Sequence, residues 1–130
     1  MKSLKTNFVS YVQNKKFGNY YLPTRFQYVI LRDYYNKYNQ IFNLPDGEPI
    51  FTNTNIRLRS LIEELNSKNS LVVLSIGVFP LKSEIRKNLI KILLKKNIKT
   101  HFIFENIIAS TKYDYANVND LIKLNNFTDK

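Results

Sequence analysis

Cysteine does not occur in this chain of 130 residues, and histidine occurs once, as His101. The first absence excludes a disulfide scaffold, a thiolate zinc site and a cysteine nucleophile. With a single imidazole, a transition-metal site lacks its usual several His or Cys ligands, so no metal and no cofactor is expected. Glycine is scarce as well. Gly18, Gly47 and Gly77 are the three in the chain, which leaves no G-x-G-x-x-G turn and no P-loop. There is no G-x-S-x-G nucleophile elbow. Long apolar runs are missing too: Phe8 to Val12 is too short for a signal peptide, and Leu71 to Val78 is broken by Ser75 and Gly77. These absences predict a cytoplasmic chain without a membrane span. Acidic residues number 10 against 20 Lys and Arg, a formal charge of +10. That balance admits nucleic acid, phosphorylated ligands or an anionic membrane surface and selects none of them. Heavy use of Asn, Lys and Ile also makes part of the charge a matter of composition.

What is present is a regular alternation of two kinds of segment. Phe8 to Val12 is short and rich in β-formers, the pattern of a strand. A loop over Gln13 to Leu22 follows, and Pro23 suits a helix start. Phe26, Val29, Ile30, Tyr34 and Tyr38 then recur at helical spacing and predict the core stripe of that helix. Gln40 to Leu44 reads as a short second strand, closed by a Pro45-Asp46-Gly47 turn. Thr54 or Asn55 caps a second helix whose apolar face is Leu58, Leu61, Ile62 and Leu65, with Arg59 and Glu63 paired on the outside. Leu71 to Ile76 is continuously apolar apart from Ser75, as in a strand buried on both faces. Ser83 caps a third helix, with Glu84 in its first turn, Lys95 and Lys96 in its last, and Ile85, Leu89, Ile92 and Leu93 facing the core. Asn97 is placed to end it in a left-handed conformation. Thr100 to Glu105 is a fourth strand, and Asn117 to Phe127 a closing helix with Asn117 as cap.

The order β-α-β-α-β-α-β-α predicts one three-layer α/β domain over residues 1–130. Its sheet has roughly four parallel strands flanked by helices, with frayed ends at 1–6 and 126–130. In such sheets ligands bind at the carboxyl ends of the strands, where the strand order reverses. The loops there are Gln13–Leu22, Pro45–Asn53, Gly77–Lys82 and Asn106–Asp114. Tyr11, Gln13, Lys15, Lys16, Arg25, Glu48, Ser75 and Glu105 lie on or beside them. Lys15, Lys16 and Arg25 are placed to hold an anion near the helix that starts at Pro23. Their bland alternative is solvated surface in a Lys-rich protein. Glu105 ends an apolar strand, where a working carboxylate or a structural salt bridge is equally at home. His101 begins that strand at the far end from the cleft and reads as structural. Among the aromatics, Tyr20, Tyr21, Tyr35, Tyr113 and Tyr115 fall off the predicted core stripe and are free to line a sugar site or a homodimer contact.

Pro23, Gln27 and Arg32-Asp33-Tyr34, then Leu58 to Leu65, LVVLSIGVFPL ending at Pro80 and Leu81, Arg86, His101-Phe102 and Glu105-Asn106 form a spaced pattern over roughly residues 8 to 106. It resembles the bacterial sporadic carbohydrate cluster proteins, encoded among genes for surface polysaccharide synthesis. The resemblance implies a pathway more than a reaction, with a nucleotide-linked sugar or phosphorylated small molecule as ligand. On that reading Tyr11, Lys15, Arg25, Gln27, Arg32 and Ser75 are the candidate ligand-binding residues and Glu105 the candidate acid or base. The first loop departs from the family, with Gln13-Asn14-Lys15 where a Ser- and Arg-containing stretch is expected. More distantly, the layout is similar to the catalytic domain of serine recombinases, with Tyr11, Gln27, the Arg59 to Leu65 helix and the Leu71 to Leu74 strand in matching order. That family needs a nucleophilic Ser after the first strand and an Arg-rich motif after the third. Here those places hold Asn14 or Lys15, and Ile76 to Leu81 with no Arg. Strand transfer is therefore not expected. Nucleic acid ranks below a small phosphorylated ligand as partner, since the basic residues are dispersed and no helix-turn-helix is evident. A structural, dimerising role is the remaining alternative.

Overall fold

Among the described residues five extended segments line up through their backbone groups: β1 (Asn7–Val12), β2 (Asp46–Gly47), β3 (Asn69–Val73), β4 (Lys99–Phe102) and β5 (Ile107–Ala109). Their order across the sheet is β2-β1-β3-β4-β5. The first four pair in parallel and β5 turns back antiparallel to β4. Among the described residues four helices accompany them: α1 (Thr24–Lys37), α2 (Ile56–Glu64), α3 (Ser83–Lys95) and α4 (Lys112–Thr128). The structure is a computed structural model and describes residues 7–12, 22–42, 46–47, 56–80 and 82–128. Among them no helix is long and apolar enough to cross a membrane.

Right-handed crossovers decide which face each helix covers. The step from β1 to β2 runs one way along the sheet, and the steps to β3 and β4 run the other. α1 therefore lies on one face, and α2 and α3 on the opposite one. The pairings Phe8↔Ser70, Ser10↔Val72 and Val72↔His101 put these side chains on a common face. There α1 meets them: Tyr35 OH and Ser10 Oγ are 2.5 Å apart, and Tyr34 OH lies 2.7 Å from His101 Nδ1. On the other face Thr100 Oγ1 is 2.7 Å from the Tyr115 hydroxyl, which donates to the Ile98 carbonyl at 2.7 Å and so fixes α4. The α/β three-layer architecture follows. β3 is its centre, with Leu71, Val72 and Val73 wholly buried between β1 and β4.

α2 buries Leu58, Leu61, Ile62 and the following Leu65, as their spacing predicts, and Arg59 Nε donates to Glu63 Oε2 at 3.3 Å on its exposed side. Two other helices turn a different face inward. α1 buries Gln27, Leu31 and Tyr35, one position on from the expected stripe, and leaves Phe26 50% and Val29 58% exposed. Polar tips with partners explain the shift: Gln27 Nε2 donates to the Leu22 carbonyl at 2.8 Å, and Tyr35 meets Ser10. α3 buries Arg86, Leu89, Ile90 and Leu93, while Ile85 is exposed and Ile92 half-buried. Tyr35 and Tyr115, expected as free aromatics, are core residues; Tyr113 is exposed, and Tyr20 and Tyr21 lie outside the described residues.

Three boundaries also differ. Gln40 to Phe42 form no strand; Asn39 turns the chain at φ 57°, and Gln40 Oε1 accepts from the Phe8 backbone N–H at 3.2 Å. The second strand forms instead at Asp46–Gly47, beside Tyr11 and Val12. β4 stops at Phe102, and a turn over 103–106, with Asn106 at φ 58°, leads into β5. α4 starts before Asn117 because Thr111 and Asp114 form a capping box: Thr111 Oγ1 accepts from Asp114 N at 3.1 Å, and Asp114 Oδ2 accepts from Thr111 N at 3.3 Å. The backbone N–H groups of Ser110 and Thr111, both donating to Asp114 Oδ2, hold its carboxyl below the usual value. Ser83 is the first residue of α3 and Lys82 its cap position, while Asn97 ends the turn after it at φ 58°, as expected. Lys96, expected to complement the end of its own helix, reaches across to donate to the carbonyls of Ile62, Glu63 and Leu65 and so caps α2.

His101 sits among Phe8, Tyr34 and Tyr38, and burial, reinforced by the Lys99 charge, pushes its pKa down to about 4. The unfolded chain, titrating near ~6.5, binds the extra proton first. Stability should thus fall as pH drops from about 6.5 toward 4, by roughly 3 kcal/mol in all. Urea titrations between pH 6.5 and 5 should show this slope in the native chain and lose it in His101→Leu; an equal slope in both would contradict the assignment.

Candidate functional site

The chain reverses its direction of travel between β1 and β3, so the segments leaving their carboxyl ends part there. From β3 the chain runs through Leu74 and Ser75 into one turn of 3-10 helix, Ile76–Val78. Ser75 is extended (φ −155°, ψ 156°) and buried, and its Oγ accepts from Gly77 N at 3.1 Å. The same hydroxyl donates to Glu105 Oε2 at 2.7 Å, and the Ile76 N–H donates to Glu105 Oε1 at 3.1 Å. The turn after β4 is carried to this point because Ile103 N and Phe104 N still donate to the Val73 and Leu74 carbonyls, at 3.1 and 2.8 Å. Ser75 and Glu105, singled out separately in the sequence, are thus brought together. Glu105 is half-buried, with one oxygen on a hydroxyl and the other on a backbone N–H. Chemically this is a clasp: the carboxylate satisfies the opening donors of the 3-10 turn and ties the β4–β5 hairpin to the end of β3.

The other candidates separate into two groups. Tyr11 and Gln27 are fully buried, Tyr11 on the face of α2 and α3 and Gln27 under the start of α1. Arg25 is exposed in the first turn of α1, at the carboxyl edge, with its guanidinium 5.5 Å from the Phe26 ring centroid. Arg32 lies about 10 Å farther along the helix axis. Its guanidinium is 5.9 Å over Phe42, toward the opposite edge. Lys15 and Lys16 fall outside the described residues, as do Glu48 and most of the first two loops. α1 opens at Pro23 without a side-chain cap hydrogen bond and without an acidic residue in its first turn. Its amino end is therefore electropositive, with Arg25 beside it. Among the described residues no three His, Asp or Glu side chains gather as a metal site.

One buried cation was not singled out for a role from the sequence. Arg86 on α3 donates from Nε to Asn119 Oδ1 at 2.5 Å and from Nη1 to the Pro80 carbonyl at 3.0 Å, and burial lowers its pKa. It joins α3 and α4 behind the 3-10 turn. Its spacing puts it on the stripe of Leu89, Ile90 and Leu93, but a guanidinium is not by itself expected in a core. Compared with known proteins, the chain matches no family model, and no curated protein matches it.

If Glu105 is the clasp, Glu105→Ala should lower stability by about 1.5–3 kcal/mol, the range for hydrogen bonds that include a charged acceptor. Glu105→Gln, which retains an acceptor for Ile76 N–H, should lose less. Chemical denaturation reads both; Glu105→Ala unfolding at the native midpoint would show that the clasp carries nothing.

Proposed function

We propose that this protein is a cytoplasmic binding protein of surface-carbohydrate synthesis that holds the phosphate-bearing part of a nucleotide-linked sugar at the carboxyl edge of its sheet. The observation that carries the reading is the acid-free, electropositive first turn of α1 with Arg25 exposed beside it, at the edge where open α/β sheets take ligands. Phosphate oxygens are suited to both features, since the positive end of a helix dipole attracts them and a guanidinium fork donates to them in a fixed geometry. Lys15 belongs to the same loop in sequence and supplies a second cation. Gln27 acts indirectly, through its hydrogen bond to Leu22 at the approach to the helix. Ser75 and Glu105 hold the neighbouring wall, which makes Glu105 a positioning residue in this reading. The sequence resemblance to the sporadic carbohydrate cluster proteins supports the choice of a sugar-linked ligand over free phosphate.

Calorimetric titration against a panel of nucleotide-linked sugars tests the proposal. One of them should bind saturably, and Arg25→Ala should weaken it about tenfold, the loss of one charge-assisted contact of ~1.4 kcal/mol. Lys15→Ala should weaken it similarly. An absence of saturable binding, or binding that neither substitution changes, would contradict the proposal.

A further inference from the structure

On α3 the buried stripe leaves Lys87, Lys91 and Lys95 on an adjoining exposed one, four residues apart. Each step is one turn, about 6 Å along the axis, so the three charges span about 12 Å. Lys112, at the start of α4, faces them across a groove of about 770 Å³. The floor of this groove is apolar: Ile90 and Leu94 from α3, and Tyr115 and Ala116 from α4. Ala116 keeps it open, because a larger side chain there would fill it. Asn119, the polar residue at its end, already accepts from Arg86.

These four lysines are the basic residues of the two helices that line the groove. Lys96 is consumed by capping α2, and Arg86 is buried in its own hydrogen bonds. Lys87, Lys91, Lys95 and Lys112 make no ion pair or hydrogen bond among the described residues, where the ion pair present is Arg59–Glu63. α4 is also divided by charge: Asp114 and Asp120 lie on its side toward β5, away from this groove. An apolar channel bordered by unneutralised cations at one-turn intervals has a definite complement. We infer that the groove between α3 and α4 docks an amphipathic helix of an acidic partner protein. Its apolar stripe would enter the channel, and acidic residues on its flanks would meet the lysines.

Other occupants fit less well. A flat bilayer cannot reach the floor of a concave channel, and nucleic acid would leave an aliphatic floor against its phosphates. A second copy of this chain lacks the charge, since it carries 10 acidic residues against 20 basic ones. The inference is independent of the ligand assigned to the carboxyl edge of the sheet.

The test is fluorescence anisotropy of a labelled synthetic helix, with leucine at i, i+3, i+4 and i+7 and glutamate on both flanks, titrated with the full chain. Saturable binding is expected, weakened at least tenfold by Lys87→Glu combined with Lys91→Glu. Ala116→Trp, which fills the channel without altering charge, should weaken it comparably, with an unchanged melting temperature confirming that each variant is folded. A control peptide with serine in place of leucine should not bind. The inference is overturned by no saturable binding, by equal binding of the serine peptide, or by indifference to Ala116→Trp. A DNA duplex or anionic vesicle that binds through Lys87 and Lys91 when the peptide does not would overturn it as well.

Discussion

Polar tips buried inside apolar layers must find partners, and this requirement sets how the helices of this protein sit on its sheet. A hydroxyl or amide left without a partner in the interior costs about as much as several good apolar contacts supply. Here Tyr35 meets Ser10, Tyr115 meets Thr100 and the Ile98 carbonyl, and Arg86 meets Asn119 and the Pro80 carbonyl. Each pairing fixes one helix in rotation as well as position, because the polar atom can be reached from one face alone. The apolar residues then occupy what space remains around β3.

The same economy shapes the carboxyl edge. Glu105 answers the donors that open the 3-10 turn after β3, and in doing so brings the β4–β5 hairpin against that turn. Beyond the switch point, α1 begins at Pro23 with no side-chain cap hydrogen bond there and no acidic residue in its first turn. One wall of the edge is therefore tied down by a carboxylate, and the other presents the positive end of a helix with Arg25 beside it. The proposed phosphate site follows from that contrast more than from the net charge. The charge itself divides by role: Lys96 closes α2, Arg86 braces α4, and four lysines border an apolar groove on the far side of α3.

Much of this architecture is legible in the residues. The apolar run beginning at Leu71, the strand at Phe8 to Val12, the α2 face and the left-handed Asn97 are where the pattern puts them. The inward faces of α1 and α3 are not, because hydropathy favours Phe26 and Ile85 over Tyr35 and Arg86. What reverses that preference is a partner distant in sequence: Ser10, 25 residues from Tyr35, and Asn119, 33 residues from Arg86. The β4–β5 hairpin escapes for a related reason. Its turning residue is Asn106, and the asparagines of this chain are too numerous to mark a turn by themselves. Of the candidate site, Ser75 and Glu105 were each visible as polar residues ending apolar segments, yet their hydrogen bond needed the register of β3 and β4. The lysine spacing on α3 was readable, whereas the groove beside it required α4 in place.

Amide chemical-shift mapping during titration with a nucleotide-linked sugar tests the central claim, that ligand is taken at the carboxyl edge, most directly. The account predicts saturating shifts concentrated at Thr24, Arg25, Ile76 and Gly77, with Lys87, Lys91 and Lys112 unmoved. Shifts confined to the α3–α4 groove, or none at saturating ligand, would contradict it.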